Sequence, residues 1–246
     1  MSGVPFYFPY VYLVKEPLAL HILTAIVLLF ALGRIRLLRF RRDWLKAHMT
    51  EVAFLLIIGV YWWAAIRSNL NIGVRHILPS FPFIYVLVAI GVASIYKCLA
   101  RRTAAVRAFF VILGALLVWQ AASVLRVHPS YIAYFNELAG GPDNGWQVVT
   151  DSNNDWGQDL KRLAQFVNDR GIAEIHLDYW GAGNMDYYLK TKYKKLSSCD
   201  APLKGWVAVS AMYYLSSRTN CDYRRWLPMS KLVAKIGYSI FVFRID

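Results

Sequence analysis

Two groups of residues in this chain have the types and spacing for chemistry. The first is Asp151 to Asp159, DSNNDWGQD, where three Asp, two Asn, a Gln and a Trp fall within nine residues. Such a cluster could ligate a metal, supply paired acid–base carboxylates, or begin a helix. A calcium loop of the EF-hand kind needs oxygens at positions 1, 3 and 5, Gly at 6 and Glu at 12. Asp151, Asn153 and Asp155 satisfy the first three, but Trp156 and Arg162 stand at the other two. No Cys or His lies near enough for zinc, so no metal is expected. A glycosidase pair needs two carboxylates set across a sugar, and nothing selects Asp151 and Asp155 for that role. Helix capping accounts for Asp155, ahead of a helix, and for Asp159 in its first turn. It does not account for Trp156 or Gln158. Asp151, Asn153, Asp155, Trp156 and Gln158 are therefore candidates for a polar ligand pocket with Trp156 as a stacking wall.

The second group is Asn71, Arg75 and His76, with Arg67 expected in the same short outer loop. An Arg at a membrane face can hold a phosphate through its planar fork of donors, and His76 can add one more. An Arg snorkelling at a helix end is the plainer reading. Glu16 is the one carboxylate just before an outward helix end, where a base could sit, or it is an interfacial charge beside Lys15. His21 reads as packed between helices, and Glu51 lies at the opposite end.

These residues need positioning elements, and the composition says which kind. The 246 residues are 57% hydrophobic, and the mean hydropathy is +0.36. Four apolar runs, residues 17–33, 50–66, 77–96 and 108–125, are each about long enough to cross a bilayer. The connection after the first carries Arg34, Arg36, Arg39, Arg41, Arg42 and Lys46 against Asp43. The connection after the third carries Lys97, Arg101, Arg102 and Arg107 and no acid. Short basic loops stay in the cytoplasm, so both chain ends are expected outside. The net charge of +13 is concentrated in residues 1–125, which hold 13 basic and 3 acidic side chains. Topology accounts for that excess, and nucleic acid is not expected as a partner.

Residues 126–246 are expected to form a small extracytoplasmic α/β domain. HPSYIAYFNELAGGP reads as a short amphipathic helix at the membrane surface, and WQVVT as a short strand. GQDLKRLAQFVNDRG has apolar residues at helical spacing and ends at Gly171. AEIHLDYW, GWVAVSA and YSIFVFRI read as strands, which suggests a largely parallel sheet. Cys98 lies at a cytoplasmic helix end. Cys199 and Cys221 share the outer domain, where they are either a disulfide or two free thiols. The opening MSGVPFYFPYVYLVKE has no basic region or cleavage site and does not read as a signal peptide. An outward start without an export signal suggests a piece of a longer polytopic chain or a split gene product.

NIGVRHILPSFPF (residues 71–83), the long stretch HPSYIAYFNELAGGPDNGWQVVTDSNNDWGQDLKRL (residues 128–163) and YVYLVKEPL (residues 10–18) carry a resemblance. They resemble the C-terminal part of bacterial GT-C glycosyltransferases, the group of protein O-mannosyltransferases and aminoarabinose transferases in family 39. The resemblance covers nearly the whole chain. It implies sugar transfer from a polyprenyl phosphate donor at the outer face of the inner membrane, with Arg75, His76 and Asn71 near the lipid phosphate and no cofactor. Relatives keep the catalytic acid in a first outer loop that has no counterpart here, so no catalytic residue carries over. The missing N-terminal half is an expected partner chain, alongside membrane lipid. The competing expectation is a non-catalytic membrane module. Coupled transport is disfavoured, since no run holds an acid away from its ends.

Overall fold

The computed structural model describes residues 4–35, 42–71, 73–196, 203–216 and 222–246. Its contacts divide the chain into two units, Met1–Arg126 and Val127–Asp246.

The first unit is helical: α1 (Tyr7–Lys15), α2 (Leu18–Ile35), α3 (Arg42–Ala47), α4 (Met49–Arg67), α5 (Phe81–Leu99) and α6 (Thr103–Leu125). Met49–Arg67, Leu78–Leu99 and Thr103–Leu125 are each long and apolar enough to cross a membrane. At about 1.5 Å per residue, the 19 residues of the shortest extend about 28 Å. The first expected span differs. Tyr7–Lys15 and Leu18–Arg34 qualify only as a pair, and that pair is bent by 112°. Pro17 causes the break, because the residue before a proline avoids helical backbone and Glu16 is extended at φ −94°, ψ 148°. Among the described residues the unit therefore has three candidate spans, or four if the bent pair counts as one, against the four expected. The last helix also begins at Thr103, which puts Arg107 inside it rather than in the preceding loop.

Helix α5 is central, with α2 and α4 against it and α6 against both α2 and α5. Ala19, Leu23, Val88 and Leu116 form the buried centre. Gly91 lets α2 and α5 approach, since a Cβ there would run into the Val27 side chain. A second cluster, Phe8, Ile77 and Phe81, ties α1 to the connection between α4 and α5.

The second unit is a five-stranded sheet with short helices. In chain order its elements are α7 (Leu160–Asp169), β1 (Ile175–Asp178), α8 (Met185–Leu189), β2 (Tyr193–Lys195), β3 (Gly205–Ser210), α9 (Ala211–Leu215), α10 (Tyr223–Trp226), β4 (Leu232–Ile236) and β5 (Ile240–Ile245). The strand order is β2-β1-β3-β5-β4. The pairings β1–β2 and β1–β3 are parallel, and β3–β5 and β4–β5 are antiparallel. The sheet is mixed, not largely parallel. The reason is local: Ser239 N–H bonds to Ile236 C=O across a tight turn, and so short a link can only reverse the chain.

Side chains alternate between the two faces, as strand geometry requires. Ala208, Ile240 and Val242 meet Leu160, Leu163 and Val167 of α7. Val207, Val209, Phe241 and Phe243 meet Trp146, Tyr214, Tyr223 and Leu227. Two expected elements do not form. WQVVT is not a strand: Gly145–Gln147 is a 3-10 turn whose Trp146 ring wedges 4.8 Å from Phe241. The 128–142 segment is not an amphipathic helix but two turns, Tyr131–Ala133 and Glu137–Ala139. Asn136 interrupts it by accepting the Leu138 N–H on its own side chain, which competes with a helical bond.

Candidate functional site

In the first unit, the connection between α4 and α5 is held at several points. Gly73, at φ +100°, donates its N–H to the Tyr7 hydroxyl at 2.9 Å. The Asn71 amide oxygen accepts the Val4 N–H at 3.4 Å. Ser80 donates to the Ile77 carbonyl at 2.6 Å and accepts from the Trp62 indole at 3.0 Å. Between these anchors Val74–His76 forms one 3-10 turn. Arg75 is exposed on it, and the His76 ring meets Phe8 edge-on at 6.2 Å. Arg67 is not in this loop: it closes the last turn of α4, with its guanidinium 5.5 Å over Trp63. Glu16 is not an exposed interfacial charge. It is buried at the α1–α2 bend and accepts from the Tyr85 hydroxyl at 3.0 Å. His21 packs edge-on to Tyr12 and lies 3.1 Å from the Leu13 carbonyl.

In the second unit, the DSNNDWGQD loop leads into α7 beside the carboxyl ends of β1 and β3. Tyr179, just past β1, bonds to Gly157 of the loop, and the Trp180 N–H bonds to Ser210 at the end of β3; such strand ends are where open α/β sheets offer ligand crevices. Asp155 does not cap α7. Its Oδ1 accepts the Gly157 N–H at 2.7 Å, a local turn that needs Gly157 at φ +79°. Asp159 occupies the N-cap position without a capping bond from its side chain. Its carboxylate instead accepts from Arg162 at 2.7 Å, from Ser239 at 2.7 Å and from Gln158 at 3.3 Å. Arg162 also donates to Ser130 at 2.6 Å.

Gln158 clamps the loop. Its Oε1 accepts the Trp156 N–H at 2.7 Å, and its amide donates to the Asn154 carbonyl at 3.2 Å. The Trp156 indole donates to the Ser152 carbonyl at 3.2 Å, yet 49% of the residue is exposed. Its ring lies 6.2 Å from that of Trp180, just past β1. Tyr179, also past β1, donates its hydroxyl to the Gly157 carbonyl at 2.7 Å. Gly157, Gly181 and Gly183 crowd this hydroxyl, and a Cβ on any of them would meet it.

Asn153, Asn154, Asp155 and Asp159 are each at most 1% exposed. Asn154 Nδ2 reaches the Tyr238 carbonyl at 3.4 Å, but its Oδ1 and Asp155 Oδ2 are buried without a hydrogen-bond partner among the described residues. Ser239 has one proton to give, and it goes to Asp159. Burial pushes the Asp155 carboxyl up to about 7, helped by the charge of Asp159 and opposed by the Gly157 N–H. Burial also raises Asp159, against the pull of Ser239 and Arg162. Tyr179 is pushed up to about 12, mainly by burial.

No family model matches the chain, and no curated protein and no solved structure matches it. The site must be read from its own geometry. Among the described residues, no group of three or more His, Cys, Asp or Glu could hold a metal. Asp155, Trp156 and Gln158 come together as one rigid loop, and Asn153 bonds within it to the Thr150 carbonyl at 3.3 Å. Asp151 begins a 3-10 turn, Asp151–Asn153, rather than following a strand. Cys199 and Cys221 lie outside the described residues. Reasoning from sequence missed Asn154, Tyr179, Trp180 and Ser239. The glycines in YWGAG were the available signal for the Tyr179 end, since clustered Gly marks close backbone approach.

Proposed function

We propose that this chain is the membrane-anchored C-terminal module of a glycosyltransferase that uses a sugar linked to polyprenyl phosphate, at the outer face of a bacterial inner membrane. The observation that carries this reading is the turn Val74–His76. It presents an exposed Arg75 beside His76, on backbone pinned by Tyr7, at the ends of two candidate spans. A lipid phosphate lies at that depth, and a guanidinium fork matches it. The likeness of residues 71–83 and 128–163 to lipid-carrier glycosyltransferases points the same way. The basic side chains Arg34, Lys97, Arg101 and Arg102, at the opposite helix ends, support the orientation. The second unit shapes the acceptor side, with Trp156 and Trp180 as its exposed aromatic pair.

Arg75→Ala tests this directly. In vesicles containing polyprenyl phosphate, the variant should bind that lipid at least about tenfold more weakly, the size of a lost hydrogen bond to a charged group. Unchanged binding would sink the reading.

A further inference from the structure

A half-open cleft of about 580 Å³ lies between α2, α4 and α5 of the first unit. We propose that it holds the acyl chain of an anionic glycerophospholipid whose phosphate rests on Arg34. The two ends of the cleft differ. At one end Tyr12 packs against Trp62 at 5.2 Å, and the Trp62 indole is fixed by Ser80 at 3.0 Å. That aromatic plug closes the side on which Asn71 and Arg75 lie. At the other end the lining includes Arg34, His48 and Glu51. His48 Nδ1 and Glu51 Oε1 are 3.0 Å apart, so Glu51 is engaged by its own neighbour on α4. The Arg34 guanidinium stands 6.0 Å over the Phe30 ring, at the cleft rim.

The depth of the cleft sets the kind of occupant. Its lining runs from Ile84 to Ser94 on α5 and from His48 to Trp62 along α4, roughly 15 Å and 21 Å at about 1.5 Å per residue. That is between about half and two-thirds of the roughly 30 Å hydrocarbon core, short of a full crossing. The walls are apolar apart from small hydroxyl side chains such as Thr24 and Ser94. An apolar slot of that depth, with an aromatic pair at one end and a cation at the other, fits one lipid tail with its phosphate on the cation. Positive charge at a membrane surface favours anionic lipid. This site is independent of the polyprenyl phosphate reading, since its polar mouth is at the opposite end of the helices from Arg75.

The test uses the full chain in nanodiscs of mixed phosphatidylglycerol and phosphatidylethanolamine, extracted gently and weighed by native mass spectrometry. The expected result is one phosphatidylglycerol retained per chain. Arg34→Gln should cut that retention at least fivefold, and Leu55→Trp, which fills the cleft without touching Arg34, should do the same. Arg67→Gln, at the other end of α4, should leave it unchanged. Equal retention in wild type and Arg34→Gln would overturn the proposal. So would displacement of the retained lipid by added polyprenyl phosphate, because the cleft would then belong to the donor.

Discussion

Asp155→Asn is the substitution whose outcome separates the physical accounts of the DSNNDWGQD loop. The carboxyl is 1% exposed, one of its oxygens has no partner among the described residues, and burial lifts its pKa from 3.8 to about 7. An acid whose pKa rises on folding binds its proton more tightly in the folded state. The stability this gives is fully present below the unfolded value and is lost as pH rises through the folded one. At about 1.4 kcal/mol per pKa unit, the wild type should lose roughly 3–4 kcal/mol between about pH 4 and pH 7 from this group, and little more above. Asn cannot titrate. Its Oδ1 can still accept the Gly157 N–H, and its amide can donate where the carboxylate could not. Asp155→Asn should therefore match the wild type within about 1 kcal/mol near pH 4 and exceed it by roughly 4 kcal/mol near pH 8. The assay is denaturant unfolding of the full chain in detergent at four pH values, with the transition of the second unit followed by tryptophan emission. A difference that stays flat across this range would refute the reasoning. A variant that is weaker at pH 8 would refute it too, because Asp155 would then be a charged, partnered carboxylate.

Gly237→Ala should destabilise the second unit by about 1–3 kcal/mol. Its φ is +57°, and an added Cβ would strike the Asp159 carboxylate; the same denaturation assay reads the loss. Gln158→Ala removes the clamp between the Trp156 N–H and the Asn154 carbonyl. Amide exchange at Trp156 should then rise by about tenfold or more, the equivalent of one lost hydrogen bond of roughly 1.5 kcal/mol. Unchanged protection would show that the loop is held by other means.

The elements with strong periodicity or hydropathy were legible from the chain alone. Helix α7, the strands β1, β3 and β5, and the three long apolar helices fall where those patterns place them. The failures have physical causes. Residues 146–150 have strand-like composition, but Trp146 is more useful to the core as a plug beside Phe241 than as a ladder residue, and tertiary packing overrides weak local preference. Pro17 was visible, yet the 112° bend it makes depends on α1 packing back through Phe8 onto Ile77 and Phe81. The polar sites were the least legible. Glu16 meets Tyr85 across 69 residues, Asp159 meets Ser239 across 80, and Asn154 meets Tyr238 across 84. Spacing within the nine-residue cluster carries no trace of such partners, so capping seemed to explain two Asp whose side chains in fact bond elsewhere.

Trp156 and Gln158 were the two residues of the cluster that capping left over, and they now part company. Gln158 has a structural reason, because three of its bonds fold the loop. Trp156 does not have one of equal weight. A large aromatic side chain at 49% exposure buries little apolar area, and its indole bond to Ser152 could be kept by water. A rigid loop that presents such a ring beside Trp180, at the carboxyl ends of a sheet, is built for contact with something outside the fold. Trp156→Ala should then cost at most about 1 kcal/mol of stability, and under the proposed glycosyltransferase reading it should lower acceptor-dependent sugar transfer at least tenfold. A structural Trp would show the reverse pattern, a large loss in unfolding free energy with transfer falling only in step with the folded fraction.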